Sequence, residues 1–271
     1  MLGNPSDFIQ HAAHHRTAVP AFNIDSLEMA KGVVEAAESM RRNVILQVTV
    51  ETLDIWGWDV FSQSLLTLLK SCGAGVGLVL DHAKAPDSIE RALQLGFPGV
   101  MYDGSARPVD YNIRVTRDVV QLARAYHAYV EGEVGHVARK GEPPEWEHLT
   151  SVAEAQEYWN ATGVDALAVA VGNRHGEYRS VKDVHVDRLD EIAKTTQCPL
   201  VLHGGSGIPS ELLDCMKSAG IRKVNIGTEF RRVWWHAITS SSHLKPREAL
   251  DGAKNAIKGR AESLIAAIAG P

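Results

Sequence analysis

The run GVGLVLDHAKAP, residues 75–86, is an apolar strand pattern that ends in two titratable groups, Asp81 and His82. One such pair could be no more than a polar strand end. Here it is repeated in kind. His175 follows the apolar run ALAVAVG (166–172), and His203 closes PLVLH (199–203). Carboxylates end two further runs: Asp103 in GVMYDG (99–104), and Glu131 and Glu133 in AYVEGEVG (128–135). Three neutral imidazoles with an open position form a catalytic zinc arrangement, and imidazole also suits cobalt, manganese or iron. Carboxylates beside such a centre can move protons. The remaining histidines, among them His11, His14 and His15 on a polar helical stretch, follow no strand pattern of this kind, His136 excepted, and that one sits in a loop.

A second constellation is H-G-G-S-G-I-P at 203–209. A glycine-rich turn that runs into a helix exposes backbone N–H groups and a helix N-terminus, which together favour an anion. Pro209 is expected in the first helical turn. The eighth run, KVNIGTE (223–229), brings Asn225, Gly227 and Thr228 alongside, so a phosphate is expected between these two segments.

The elements that must position these groups follow from periodicity. Eight short, continuously apolar runs begin at 18, 43, 75, 99, 128, 166, 199 and 223, with amphipathic helical patterns between them. Continuous rather than alternating hydrophobicity marks strands covered on both faces. Alternation at this spacing predicts parallel βαβ units, and eight of them predict a (β/α)8 TIM barrel whose chemistry sits at the C-terminal strand ends. A short N-terminal helix (5–15) is expected across the barrel bottom and an extra helix (246–269) after the eighth unit. All 271 residues are expected to form one barrel domain. The first strand ends in Asn23-Ile24-Asp25 without a GxGxxG, which argues against a dinucleotide-binding open sheet.

Composition narrows the function classes. Net charge is −5, and the 28 basic residues form no block that would suit nucleic acid or an anionic membrane. No apolar run approaches membrane-spanning length and the N-terminus carries no signal-peptide pattern, so a cytoplasmic protein is expected. Cys72, Cys198 and Cys215 lack CxxC spacing and are expected to pack as small apolar residues.

Over nearly its whole length the chain resembles the class II, metal-dependent fructose-bisphosphate/tagatose-bisphosphate aldolase family. The stretches that carry the resemblance are AVPAFN (18–23), LDH (80–82), VMYDGS (100–105), VEGEVG (130–135), TGVDALAVAVGNRHGEY (162–178), PLVLHGGSGI (199–208) and KVNIGTE (223–229). The resemblance implies that His82, His175 and His203 hold Zn²⁺ or another divalent ion, with Glu133 as an alternate ligand. It implies that Asp81 is the acid–base group at the C4 hydroxyl. Gly176, Gly204, Ser206 and Thr228 resemble C1-phosphate contacts, with a monovalent cation (Na⁺ or K⁺) nearby. Asn225 resembles a dihydroxyacetone-phosphate contact, and Asn23, Gln47 and Thr49 resemble residues that line the same pocket. Arg247 resembles an arginine that reaches a neighbouring subunit's site, which implies a homodimer or homotetramer.

The sequence also departs from the family pattern. Ala83 follows His82 where many members have a second histidine. The loop after the fifth strand reads ARKGEPPE (138–145) in place of GGxED, leaving Glu142 first and Glu145 second for the loop acid. Gly227 stands where some relatives carry Asp. Trp56, Trp58 and Arg174 flank positions that could meet substrate. These differences suggest a ketose phosphate other than fructose bisphosphate. The alternatives at this stage are Schiff-base chemistry, for which only Lys84 lies near a strand end, metal-dependent hydrolysis on the same barrel, and a non-catalytic sugar-phosphate-binding subunit.

Overall fold

A computed structural model describes residues 1–135, 149–173, 184–241 and 243–270. Eight parallel strands close a barrel in sequence order. They are β1 (Val19–Asn23), β2 (Val44–Thr49), β3 (Val76–Ala83), β4 (Gly99–Tyr102), β5 (Tyr129–Val134), β6 (Ala166–Val169), β7 (Leu200–Leu202) and β8 (Ile221–Ile226). The helices are α1 (Pro5–His15), α2 (Leu27–Met40), α3 (Val50–Trp56), α4 (Trp58–Lys70), α5 (Pro86–Gln94), α6 (Val109–Arg124), α7 (Val152–Thr162), α8 (Val186–Thr196), α9 (Ser210–Ser218), α10 (Thr228–Thr239) and α11 (Pro246–Ala269). The expected α/β barrel, its N-terminal helix and its C-terminal helix are all present.

Two hydrophobic layers hold the barrel. Outward-facing strand residues such as Phe22, Leu46, Leu78, Val130 and Val224 pack against the helices. Inward-facing Val19, Ala21, Ile45, Val79, Tyr129, Ala166, Ala168 and Val201 fill the lower barrel, and Phe8, Ile9 and Ala12 of α1 close it from beneath. Above this apolar layer the buried polar residues begin: Asn23, Gln47, Asp81, Glu131, Glu133, His203, Lys223 and Asn225. Side chains alternate along a strand with period two, so Ala21/Asn23, Ile45/Gln47 and Val79/Asp81 each step from apolar filling to polar site on one face.

Three local expectations need correction. The eighth strand begins and ends earlier than its sequence pattern suggested, so Gly227 precedes α10 and Thr228 opens it. Pro209 is the residue before α9 rather than part of its first turn, because its ψ of 145° is extended. Cys72 and Cys198 are buried, but Cys215 is exposed on α9.

Candidate active site

In a regular strand Asp81 and His82 would face opposite ways. The β3–β4 register shifts between Leu80 and Ala83, and His82 adopts a left-handed backbone with φ of 50°. A bulge of this kind re-aims a side chain, and the left-handed residue costs about 1–3 kcal/mol that the surrounding structure must hold. The result places both groups at the site. Asp81 is 2% exposed and accepts Asn23 Nδ2 at 2.7 Å and Gln47 Nε2 at 2.8 Å, one amide on each carboxylate oxygen.

His82 Nδ1 lies 2.9 Å from Asp103 Oδ2 and 3.8 Å from Glu133 Oε2. Burial alone would lower the His82 pKa, but the charge of Asp81, the Asp103 hydrogen bond and Glu133 together raise it to about 9. Asp103 also accepts the Ser105 backbone N–H and hydroxyl through Oδ1, at 3.2 and 2.7 Å. Its carboxyl is held well below the usual range: burial opposes this, and the hydrogen bond and charge of His82 overcome it.

His203 is fully buried, with Nε2 2.9 Å from Glu131 Oε1 and Nδ1 3.5 Å from Glu133 Oε2. Burial lowers its pKa, which favours the neutral imidazole a metal needs. Glu131 is itself buried and accepts Lys223 Nζ and the Tyr129 hydroxyl on Oε2, both at 2.7 Å. Burial would raise the Glu131 pKa, but Lys223 and His203 bring it down to about 2. A carboxylate that fixes a ligand imidazole from behind sets ring orientation and basicity. One ligand atom each from His82, Glu133 and His203 lies within 4.8 Å of the others, so these three fit a metal ion in both spacing and donor type.

The open side is a cavity of about 690 Å³ lined by Asn23, Thr49, Asp81, His82 and Asn225, among others. Gly204, Ser206, Gly227 and Thr228 line it too. Gly204 and Gly207 have φ of 72° and 77°, conformations that an L side chain would strain. Ser206 Oγ accepts the Glu229 N–H at 3.3 Å, seating this turn against the first turn of α10. Helix N-termini leave N–H groups unpaired by the helix itself, so the loop and α10 together suit an anion. Asn225 is 5% exposed, and neither polar atom of its amide has a hydrogen-bond partner among the described residues. Leaving such a group unmet costs about 1–3 kcal/mol, a cost a ligand would remove.

Most residues expected at the site are therefore brought together: Asn23, Gln47, Thr49, Asp81, His82, Glu133, His203, Gly204, Ser206, Asn225, Gly227 and Thr228. His175, Gly176, Arg174, Glu142 and Glu145 lie outside the described residues. Arg247 is exposed on the first turn of α11 and does not line this chain's own cavity. Trp58 is structural, buried beneath Arg91 and bonded to Asp54. Trp56 lines the cavity mouth. Sequence reasoning did not assign Asp103 and Glu131 their places behind His82 and His203, and it overlooked Lys223. A lysine inside an apolar strand was the available signal. Lys223, rather than exposed Lys84, is the buried strand lysine, but it is ion-paired with Glu131 and absent from the cavity lining. Asp25, Glu51, Thr52, Ile55 and Arg231 at the mouth were also missed.

The chain matches the family model described as fructose-bisphosphate aldolase class-II over residues 4–270. It is 35% identical over 232 residues to the 6-phospho-5-dehydro-2-deoxy-D-gluconate aldolase of Bacillus licheniformis, covering 84% of this chain and 80% of that protein. Against the protein of the same name from Shouchella clausii it is 36% identical over 222 residues, covering 80% and 75%. The crystal structure of the YdjI aldolase from Escherichia coli K12 superposes with a TM-score of 0.90 at 27% identity, over 100% of this chain and 98% of that one.

Proposed function

The chain belongs to the class II fructose-bisphosphate aldolase family, whose members are metal-dependent lyases, and from that premise we propose its substrate and the roles of its residues. The substrate is a ketose phosphate whose aldehyde half ends in a carboxylate, of the class of 6-phospho-5-dehydro-2-deoxy-D-gluconate. The names of the two bacterial relatives support this choice, as do the departures from the fructose-bisphosphate sequence pattern.

Cleavage breaks the C3–C4 bond of that compound. Asp81 takes the proton of the C3 hydroxyl, and C3 becomes the aldehyde carbon of 3-oxopropanoate. The bond's electron pair moves onto C4, conjugated with the C5 ketone, and protonation at C4 yields dihydroxyacetone phosphate. Glu142, or failing that Glu145, is the loop acid that manages this second proton. His82, His175 and His203 hold Zn²⁺, with Glu133 as alternate ligand. When bound, the ion supplies a Lewis acid for the ketone oxygen. Asp103 and Glu131 hold His82 and His203 in orientation, and Asn23 and Gln47 fix Asp81.

Gly176, Gly204, Ser206, Gly227 and Thr228 cradle the phosphate, with a monovalent cation nearby. Asn225 and Thr49 meet the carbon chain. Arg247 from a neighbouring subunit reaches the far end of the substrate, within a cytoplasmic homodimer or homotetramer. One observation carries the reading: Asp81 stands beside a His82–Glu133–His203 group, and Asp81 and His82 open onto a cavity that Gly204, Ser206, Gly227 and Thr228 also line.

The test is a panel of ketose 1-phosphates, 1,6-bisphosphates and the phosphorylated deoxy-ketogluconate, with coupled detection of dihydroxyacetone phosphate. The carboxylate-ended compound should give the highest kcat/KM. Faster turnover of fructose 1,6-bisphosphate would contradict the substrate class while leaving the aldol chemistry intact.

A further inference from the structure

We infer that Arg231 is a specificity-determining residue whose guanidinium receives the carboxylate at the far end of the aldehyde half. This rests on the carboxylate-ended substrate proposed above. Among the described residues that line the cavity, Arg231 is the only lysine or arginine, whereas Asp25, Glu51 and Asp81 line it as acids. Among the described lining residues, an incoming carboxylate has no other lysine or arginine to meet.

The geometry prepares the side chain for the task. Arg231 lies in the first turn of α10, three residues after Thr228. Its Nε donates to Asp25 Oδ2 at 2.7 Å and its Nη2 to Asp25 Oδ1 at 3.5 Å, and Nη1 has no hydrogen-bond partner among the described residues. Asp25 is fixed in turn: Thr52 Oγ1 donates to its Oδ1 at 2.9 Å and Trp56 Nε1 to its backbone oxygen at 2.8 Å. One edge of the planar fork is thus pinned, and donors remain for a second planar partner. A guanidinium already held in place loses less rotamer freedom on binding than a free one.

The substrate's two anions divide accordingly. The phosphate cradle comes from the β7 and β8 ends, and Asp81 stands on β3. Asp25, Thr52 and Trp56 follow β1 and β2, which lie between β8 and β3 around the barrel, so the Asp25–Arg231 pair borders the mouth between the phosphate cradle and Asp81. The phosphate has the backbone N–H cradle, which leaves the carboxylate as the anion for the guanidinium.

The experiment uses the metal-loaded full chain in the condensation direction. Dihydroxyacetone phosphate is offered with 3-oxopropanoate or with uncharged 3-hydroxypropanal, and the ratio of the two kcat/KM values is the readout. Arg231→Ala should lower the wild-type ratio by roughly tenfold or more, the loss of one charge-assisted contact, and Arg231→Lys should lower it less. The double variant Asp25→Asn/Arg231→Ala removes both charges and should remain low. Recovery in the double variant would mean that bare Asp25 merely repels the carboxylate, and would overturn the inference. An unchanged ratio in Arg231→Ala, or a fall confined to Arg247→Ala, overturns it as well. A wild type with no preference between the aldehydes overturns both this inference and the substrate class. Failure of Arg231→Ala alone leaves the substrate class standing.

Discussion

Asp81 is the residue on which the proposed chemistry turns, and its two amide partners hold it in one orientation without supplying any charge. Replacement by Asn would keep the shape and the neighbours while removing the base. Asp81→Asn should retain metal in elemental analysis but lose cleavage by ~10²–10⁴-fold, the range for general acid–base catalysis. Near wild-type kcat would reduce Asp81 to a polar strand end. His82 gives a pH prediction. In the metal-free protein its pKa rises from 6.5 to about 9. This contribution to stability is fully present below pH 6.5 and is lost as pH climbs through 9. Metal must displace the same proton, so affinity should increase with pH across this window. Calorimetric titrations between pH 6.5 and 9 would show proton release, and a flat profile would count against the assignment. At this scale the sequence was informative about which residues matter. It could not show why adjacent Asp81 and His82 reach one site, because the bulge and the positive φ depend on how β3 pairs with β4.

Among the elements, β5 has the tightest constraint. Glu131 and Glu133 face the barrel interior, and Gly132 between them faces Tyr158 of α7. A Cβ at Gly132 would lie 2.5 Å from the Tyr158 hydroxyl. That hydroxyl is 2.6 Å from Thr116 Oγ1, and Asn112 Nδ2 donates to the Glu133 carbonyl at 2.8 Å, so α6 and α7 brace β5 from behind. Gly132→Ala should therefore cost about 1–3 kcal/mol as an overpacked core site, read as a lower Tm, and should weaken metal binding in the same variant. Unchanged values for both would show that α7 yields without moving β5. The strands were legible because continuous apolar runs bounded by polar ends are distinctive. Helices α3 and α10 were not. The first spans seven residues directly after β2 with no side-chain cap. The second mixes charge and aromatics, and buries only Glu229 and Phe230.

At the level of the whole barrel, the eightfold alternation was plain in the sequence and the closed sheet agrees with it. The polar layer beneath the site was not legible. Its contacts join residues far apart in the chain, such as Glu131 with Lys223 and with His203, and no local spacing encodes them. Lys223 also decides between two chemistries. Its ion pair with Glu131 makes it a prop for His203 rather than a Schiff-base nucleophile. The most direct test follows dihydroxyacetone phosphate released from 6-phospho-5-dehydro-2-deoxy-D-gluconate by the purified chain through two treatments. Release should stop on chelation and return with Zn²⁺, and it should survive borohydride added in the presence of substrate. Release that persists without metal, or that borohydride abolishes, would contradict a metal-dependent aldol cleavage at this site.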